Sequence, residues 1–384
     1  MSFWANYWDV VAFYIVVLLL LYIFRSKFKF EGIVALLRTK IGIAWMTRMG
    51  EEHKRFWNTI GLIAIVIGFA GMTLICVLLL VGIYNLFFVP QAPPMFSPLL
   101  PGVKIPGQPI VFPLWYTLIA LFIAVLVHEA AHGLLAASYK LRIKSTGFAM
   151  FGPIPAAFVE PDEKEMEKRS RRQQMAVAAA GPFANAVLTL VAVGVVISIG
   201  LVAGTLVSEQ GVTYKSLQPG GAAAEAGMPQ AGTILQVDGT EISSTSNLTA
   251  AIAAHNPGER ALIATDAGIY AVTFAEHPQD ASKAYLGVLD VDTKYVPHNP
   301  SLGWVYIGLS MLGTLLYWTY AISIGLGLAN LLPIGPVDGG RMFYLALLSR
   351  IEEVKAKRFF GRWSMALLII VILLVFVPII RAIL

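Results

Sequence analysis

Residues 121–133 read LFIAVLVHEAAHG, an apolar run in which His128, Glu129 and His132 spell HExxH. Glu129 is the only charged residue between Lys104 and Lys140. A carboxylate and two imidazoles are costly in hydrocarbon, so their presence in a membrane-length segment marks a functional site. On a helix, positions i and i+4 share a face, and both imidazoles can reach one ion. Glu129 is turned about 100° from His128 and can meet an attacking water instead. Two neutral imidazoles on Zn²⁺, with a carboxylate to take the proton of that water, is the chemistry of metal-assisted hydrolysis.

Outward from this segment, the chain is that of a polytopic membrane protein. Its 384 residues are 57% hydrophobic and 13% charged, and the mean hydropathy is +0.71, which excludes an ordinary soluble enzyme. The single cysteine, Cys76, excludes a disulfide framework and a Cys-based zinc site within one chain. The net charge of +5 is explained by where the basic residues sit, so no nucleic-acid partner is expected. The N-terminus lacks a basic n-region and a small-residue cleavage site, so the first apolar segment is read as a retained anchor.

Six segments are long enough to span, or nearly so: about 8–24, 58–87, 113–139, 175–206, 302–332 and 363–384. The first is short, and Trp4, Tyr7 and Trp8 extend it as an interfacial belt. Between the first two, Arg25–Trp57 mixes basic and apolar residues. It reads either as an amphipathic helix on the membrane surface or as a cytosolic helical hairpin. A Pro-rich linker, Val89–Pro113, leads to the HEAAH span. Ser145–Pro161, STGFAMFGPIPAAFVEP, has two β-prone pieces around a turn-rich centre and is expected to form a hairpin, which either dips into the protein and offers a strand edge or is an ordinary surface hairpin. Asp162–Arg172 reads as the solvated start of a helix. The fourth span opens AAAGPFANA, which puts Asn185 at membrane depth, either facing the site or bonding a neighbouring helix. A second amphipathic helix is expected over Arg341–Arg362.

Residues 207–300 differ in kind, with ten acidic and four basic residues and many Gly, Ala and Thr. They predict a compact α/β domain. Strands are expected at Thr233–Val237, Arg260–Thr265, Ile269–Phe274 and Ala284–Val288, with a helix at Ser246–Ala254. His255, His277 and His298 show no ligand spacing. After the fifth span comes NLLPIGPVDGGR, where Pro333 and Pro336 break the helix and Gly339-Gly340 allow a tight turn. Asp338 is the one acid between Asp292 and Glu352. It either supplies the third, oxygen ligand of a catalytic zinc or caps the helix beginning near Gly340. The odd-numbered connections hold the positive charge, so both termini and the α/β domain are expected outside, with HEAAH toward the cytosolic side.

HEAAH, GPFAN at 181–185, the sequence AEAGMPQAGTILQVDGTEI at 224–242 and NLLPIGPVDGG at 330–340 occur in that order. The stretch Gly220–Glu259 resembles a PDZ domain, most strongly within 224–242. The set resembles the site-2 protease family of intramembrane zinc metalloproteases, in its prokaryotic form with a PDZ domain. This implies a multi-pass α-helical membrane protein of about six transmembrane helices with an inserted extracytoplasmic α/β PDZ-like domain. The expected layout is an anchor and cytosolic segment (1–57), a first catalytic half (58–206), the PDZ-like domain (207–300) and a second catalytic half (301–384). It implies His128, His132 and Asp338 as zinc ligands and Glu129 as general base and acid. Asn185 would help with the oxyanion or the substrate backbone. Asn330 and Pro333 would line the substrate site, and the hairpin residues Gly147, Phe148 and Phe151 would lie against the extended substrate. The expected activity is regulated intramembrane proteolysis of transmembrane protein substrates in contact with membrane lipid, with peptide C-termini at the PDZ-like domain. The first span and Arg25–Trp57 have no match in the family core. A non-proteolytic receptor or chaperone would not need Glu129, and a prenyl-protein protease would take its third ligand from Glu and need no PDZ-like insert.

Overall fold

The computed structural model describes residues 3–32, 34–89, 93–151, 154–278 and 280–384. Two compact units emerge: one from residues up to Val196 together with Gly313–Leu384, the other from Ile197–Leu312.

The first unit begins with α1 (Phe3–Ile23), followed by β1 (Lys29–Glu31), β2 (Val34–Thr39) and α2 (Ile43–Glu52). Two long helices follow, α3 (Lys54–Phe88) and α4 (Leu114–Ser138). The linker between them has no helix or strand among its described residues. Next come β3 (Ile143–Phe151), β4 (Ile154–Pro161), the short α5 (Glu163–Glu167) and α6 (Arg171–Gly204). Asp162 caps α5 by accepting from the amides of Lys164 and Glu165.

The second unit starts with β5 (Val207–Tyr214), β6 (Ser216–Leu217), α7 (Ala222–Glu225), β7 (Gly232–Val237), β8 (Thr240–Glu241) and α8 (Thr245–Ala253). It continues through β9 (Arg260–Thr265), β10 (Gly268–Thr273), β11 (Ala275–His277), β12 (Asp280–Tyr285), β13 (Val288–Leu289) and β14 (Asp292–Pro297). The main sheet runs β10-β9-β7-β5-β14, with β8 paired to β7. Val212, Tyr214, Ile234, Ile263, Val272 and Phe274 form its buried core. Asp238 and Gly239 both take positive φ, as the tight turn between β7 and β8 demands. The expected helix and the strands at 233–237, 260–265 and 269–274 are present within a residue of their expected ends, whereas 284–288 spans the end of β12, a break at Leu286-Gly287 and the start of β13.

The chain re-enters the first unit at Gly313, within α9 (Gly303–Asn330), which leads into the broken segment, then α10 (Asp338–Leu348) and α11 (Glu353–Ile383). Among the described residues, five helices are long and apolar enough to cross a membrane: α3, α4, α6, α9 and α11. The first expected span is a shorter apolar helix, Tyr7–Ile23, within α1. The expected amphipathic helix at Arg341–Arg362 is instead two elements. α10 ends at Leu348, and α11 runs from Glu353 through the last expected span.

The larger departure is at Arg25–Trp57, where among the described residues a short 3-10 turn at Arg25–Lys27, α2 and the first residues of α3 are helical and the rest is not. β1 and β2 form a hairpin, and β2 pairs along β3 from Val34↔Phe151 to Thr39↔Thr146. The expected hairpin at 145–161 is therefore half of a four-stranded antiparallel sheet, β1-β2-β3-β4. Pairing satisfies the main-chain groups of both segments, and no local pattern in either announces the other. β3 is an interior strand, and β4 ends the sheet.

Close packing of backbone brings the halves of the unit together. A Cβ at Gly50 would stand 2.6 Å from the Ala137 Cβ, which sets α2 tightly on α4. A Cβ at Gly68 would meet Met342 of α10 at 2.7 Å. At the start of α10, a Cβ on Gly339 would run into the Leu331 carbonyl, and one on Gly340 into the Ile334 carbonyl. The loop can fold back over the helix start only because both positions lack a side chain. Gly340→Ala should therefore lower the thermal stability of the detergent-solubilised protein by about 1–3 kcal/mol. Gly325→Ala, on an exposed face of α9 with nothing within 4 Å, should leave it unchanged.

Candidate active site

α4 carries HEAAH near its C-terminal end, and its buried residues include His128, Gly133, Leu134 and Leu135. The two imidazole rings lie edge to face with centroids 4.8 Å apart, as the i, i+4 spacing requires. Asp338 is the first residue of α10. The N-cap is Val337, which makes no side-chain cap, so the helix-capping alternative for Asp338 is not what its carboxylate does. Its Oδ2 lies 3.1 Å from His128 Nε2 and 3.4 Å from His132 Nε2. Ligand atoms held at about 2.0–2.2 Å around a tetrahedral zinc are about 3.3–3.6 Å apart. Those two separations therefore suit a shared ion, and the three donor atoms all fall within 4.8 Å of one another. A neutral imidazole pair with one carboxylate is also the donor set of a catalytic zinc.

Space for an ion comes from α6. A Cβ on Gly181 would stand 2.5 Å from Nε2 of each histidine, so any other residue would fill the cradle. α6 also fixes one ring: the Nδ1–H of His132 donates to the Val177 carbonyl at 2.7 Å. That leaves His132 Nε2 as the lone-pair atom toward Asp338. Asn185, three residues past Pro182, is fully buried. Its Nδ2 lies 3.2 Å from His128 Nδ1, and it is not among the residues that line the site cavity.

Glu129 faces a cavity of about 620 Å³ that also exposes His128, His132, Asp338 and Asn330. One Glu129 oxygen, Oε2, accepts from the main-chain N–H of Val159 on β4 at 3.0 Å. The sheet supplies one wall of the cavity through Leu36, Arg38, Phe158 and Glu160. Arg38 pairs with Glu160 at 3.4 Å. Of the expected substrate-site residues, Asn330 lines this cavity, whereas Pro333 lies beyond α9 in the broken segment and is not on the wall. Gly147 and Phe148 are on β3, paired on both sides, and are not on the wall either. Phe148 stacks on Phe122 of α4. Gly147 makes room for Phe158, whose ring a Cβ there would meet at 2.9 Å. The side chain of Phe151 lies outside the described residues.

Sequence reasoning missed Val177, Val159, Arg38 and Arg341. The first two act through main-chain groups that every residue type except proline carries in full, so no side-chain pattern signals them. Arg38 reaches the cavity through the unforeseen β2–β3 pairing, and Arg341 through the first turn of α10.

Residues 116–374 match the family model described as peptidase family M50. The chain is 27% identical over 339 residues to an uncharacterized protein, MJ0971, of Methanocaldococcus jannaschii, covering 85% of this chain and 81% of that one. It is also 27% identical over 248 residues to the zinc metalloprotease RasP of Geobacillus kaustophilus, covering 52% of this chain and 55% of that protein.

The Gly181 cradle gives a direct test. Gly181→Ala should reduce zinc bound per chain after reloading and desalting, and because the added methyl meets both rings even without an ion, it should lower the stability of the metal-stripped protein by about 1–3 kcal/mol. Because the family match takes in both α4 and α10, the two halves of the site share one ancestry, and the chain belongs to peptidase family M50, the site-2 protease family of membrane metalloproteases.

Proposed function

We propose that the chain is an intramembrane zinc metalloendopeptidase that cleaves transmembrane segments of membrane-protein substrates. The observation that carries this reading is the convergence of His128, His132 and Asp338 beside Glu129 on one cavity. Zinc, when bound, would polarise the scissile carbonyl and lower the pKa of the attacking water. His128, His132 and Asp338 would hold it. Glu129 takes the proton of the water and passes it to the leaving amine.

A helical substrate hides its peptide bonds, so a cut requires local unwinding. Strand pairing with the hairpin of β3 and β4 would hold the unwound segment, and β4, which ends the sheet, is the strand with an edge to offer. Asn330 would contact that segment from the opposite wall. The second unit would act as a PDZ-like selector, binding exposed peptide C-termini or excluding bulky ectodomains. The charge distribution supports placing both termini and this unit outside the cytosol, with the site toward the cytosolic side.

Two measurements test the reading. Purified wild-type protein in detergent should hold about one zinc per chain, and Asp338→Ala should hold far less. With a reconstituted single-span reporter protein as probe, Glu129→Gln should keep the zinc and lose cleavage by about a hundredfold or more. A wild type that stays zinc-free after metal is added back would sink the proposal.

The Val159 amide offers a finer check on Glu129. Val159→Pro removes that N–H at a position sharing its facing with Pro155 and Pro161, where the strand already accommodates proline. Cleavage of the same reporter should fall by about tenfold to a hundredfold through kcat, with zinc content unchanged. Val159→Ala, which keeps the N–H, should cleave at close to the wild-type rate.

A further inference from the structure

The two histidines of HEAAH are not supported alike. His132 Nδ1–H donates to a main-chain carbonyl, Val177 O, at 2.7 Å. A carbonyl only accepts, so this bond permanently selects the ring form whose Nε2 carries a lone pair for a metal. His128 has Asn185 in the equivalent place, and an amide side chain can either donate or accept. As placed, Asn185 Nδ2 faces His128 Nδ1 at 3.2 Å, while Asn185 Oδ1 is buried with no hydrogen-bond partner among the described residues. With Nδ2 donating to Nδ1, the hydrogen of His128 sits on Nε2 and points at Asp338 Oδ2, 3.1 Å away. That set of bonds is self-consistent, but it blocks Nε2 as a ligand.

A metal on His128 Nε2 requires the hydrogen to be on Nδ1, and Nδ1–H then needs an acceptor. Asn185 has one, and turning its amide over brings it to the same place. The rest of the residue is held. Its main-chain carbonyl accepts from Thr189 Oγ1 at 2.8 Å and from Ser323 Oγ of α9 at 3.0 Å. Gly327 of α9 lets α9 pack closely on its Cβ: a Cβ added there would stand 3.2 Å away. Backbone and Cβ are therefore fixed while the terminal amide alone can turn.

We infer that Asn185 is a positioning residue for the metal ligand His128: its Oδ1 accepts from Nδ1–H and holds the ring in the form that offers Nε2, as Val177 O does for His132. This rests on the zinc-protease reading of the site, and it gives Asn185 a task on the ligand rather than on the oxyanion. An outer acceptor of this kind orients a metal-bound imidazole and makes it a better donor.

The test is zinc affinity of the full-length protein in detergent, measured by competition with a chelator, so no substrate is needed. Asn185→Leu removes the acceptor and should weaken zinc binding by about tenfold to a hundredfold. Asn185→Asp has nearly the same shape but can only accept. It should bind zinc at least as tightly as wild type, a rescue that a merely space-filling role would not predict. Should Asn185→Leu fail to fold, Asn185→Asp decides alone. Zinc binding as weak in Asn185→Asp as in Asn185→Leu, or unchanged in Asn185→Leu, overturns the inference and leaves the protease reading intact. A wild type that binds no zinc overturns both.

Discussion

One carboxylate oxygen, Asp338 Oδ2, approaches two imidazoles that are 206 and 210 positions away in sequence. Everything nearby serves that meeting. Three polar groups withdrawn from water are tolerable only if each finds a partner, because a lone charge or unpaired imidazole in an apolar interior is strongly disfavoured. The nearness of Asp338 to both rings, the His132–Val177 bond and the His128–Asn185 bond supply those partners. The same set forms a metal site because the one place where the three donors converge is kept clear by Gly181.

Glycine recurs for one reason at several points of this unit: helices and loops that carry the site must approach at backbone distance. Gly50 sets α2 on α4, and Gly339 and Gly340 let the broken segment fold over the start of α10. In an interior of close-packed side chains, one extra methyl group at such a place displaces a whole element. The position of Asp338 is thus decided by atoms that are missing as much as by those present.

The sheet does related work on the other wall. β4 ties itself to α4 through the Val159 amide and Glu129. A carboxylate beside an apolar strand edge gains a donor, and the strand edge gains an acceptor, so each relieves the other's unsatisfied group. This bond couples the position of the base to the sheet that forms the cavity wall. β1 and β2 give β3 a second neighbour. They leave β4 as the strand nearest the chemistry.

Local patterns carried much of this in advance. The i, i+4 histidines, the apolar lengths of α3, α4, α6, α9 and α11, the proline break before Asp338 and the alternation of the second unit are properties of neighbouring residues, and helical or strand geometry converts them directly into position. Tertiary structure alone decided three things. Within Arg25–Trp57 it made β1 and β2 strands beside β3, because strand pairing joins segments with no shared local signal. It gave the histidines their partners Val177 O and Asn185, because which helix face meets which depends on packing among α4, α6 and α9. It put β4 beside the base, where the Val159 amide reaches Glu129, because which strand keeps a free edge depends on what pairs with the other.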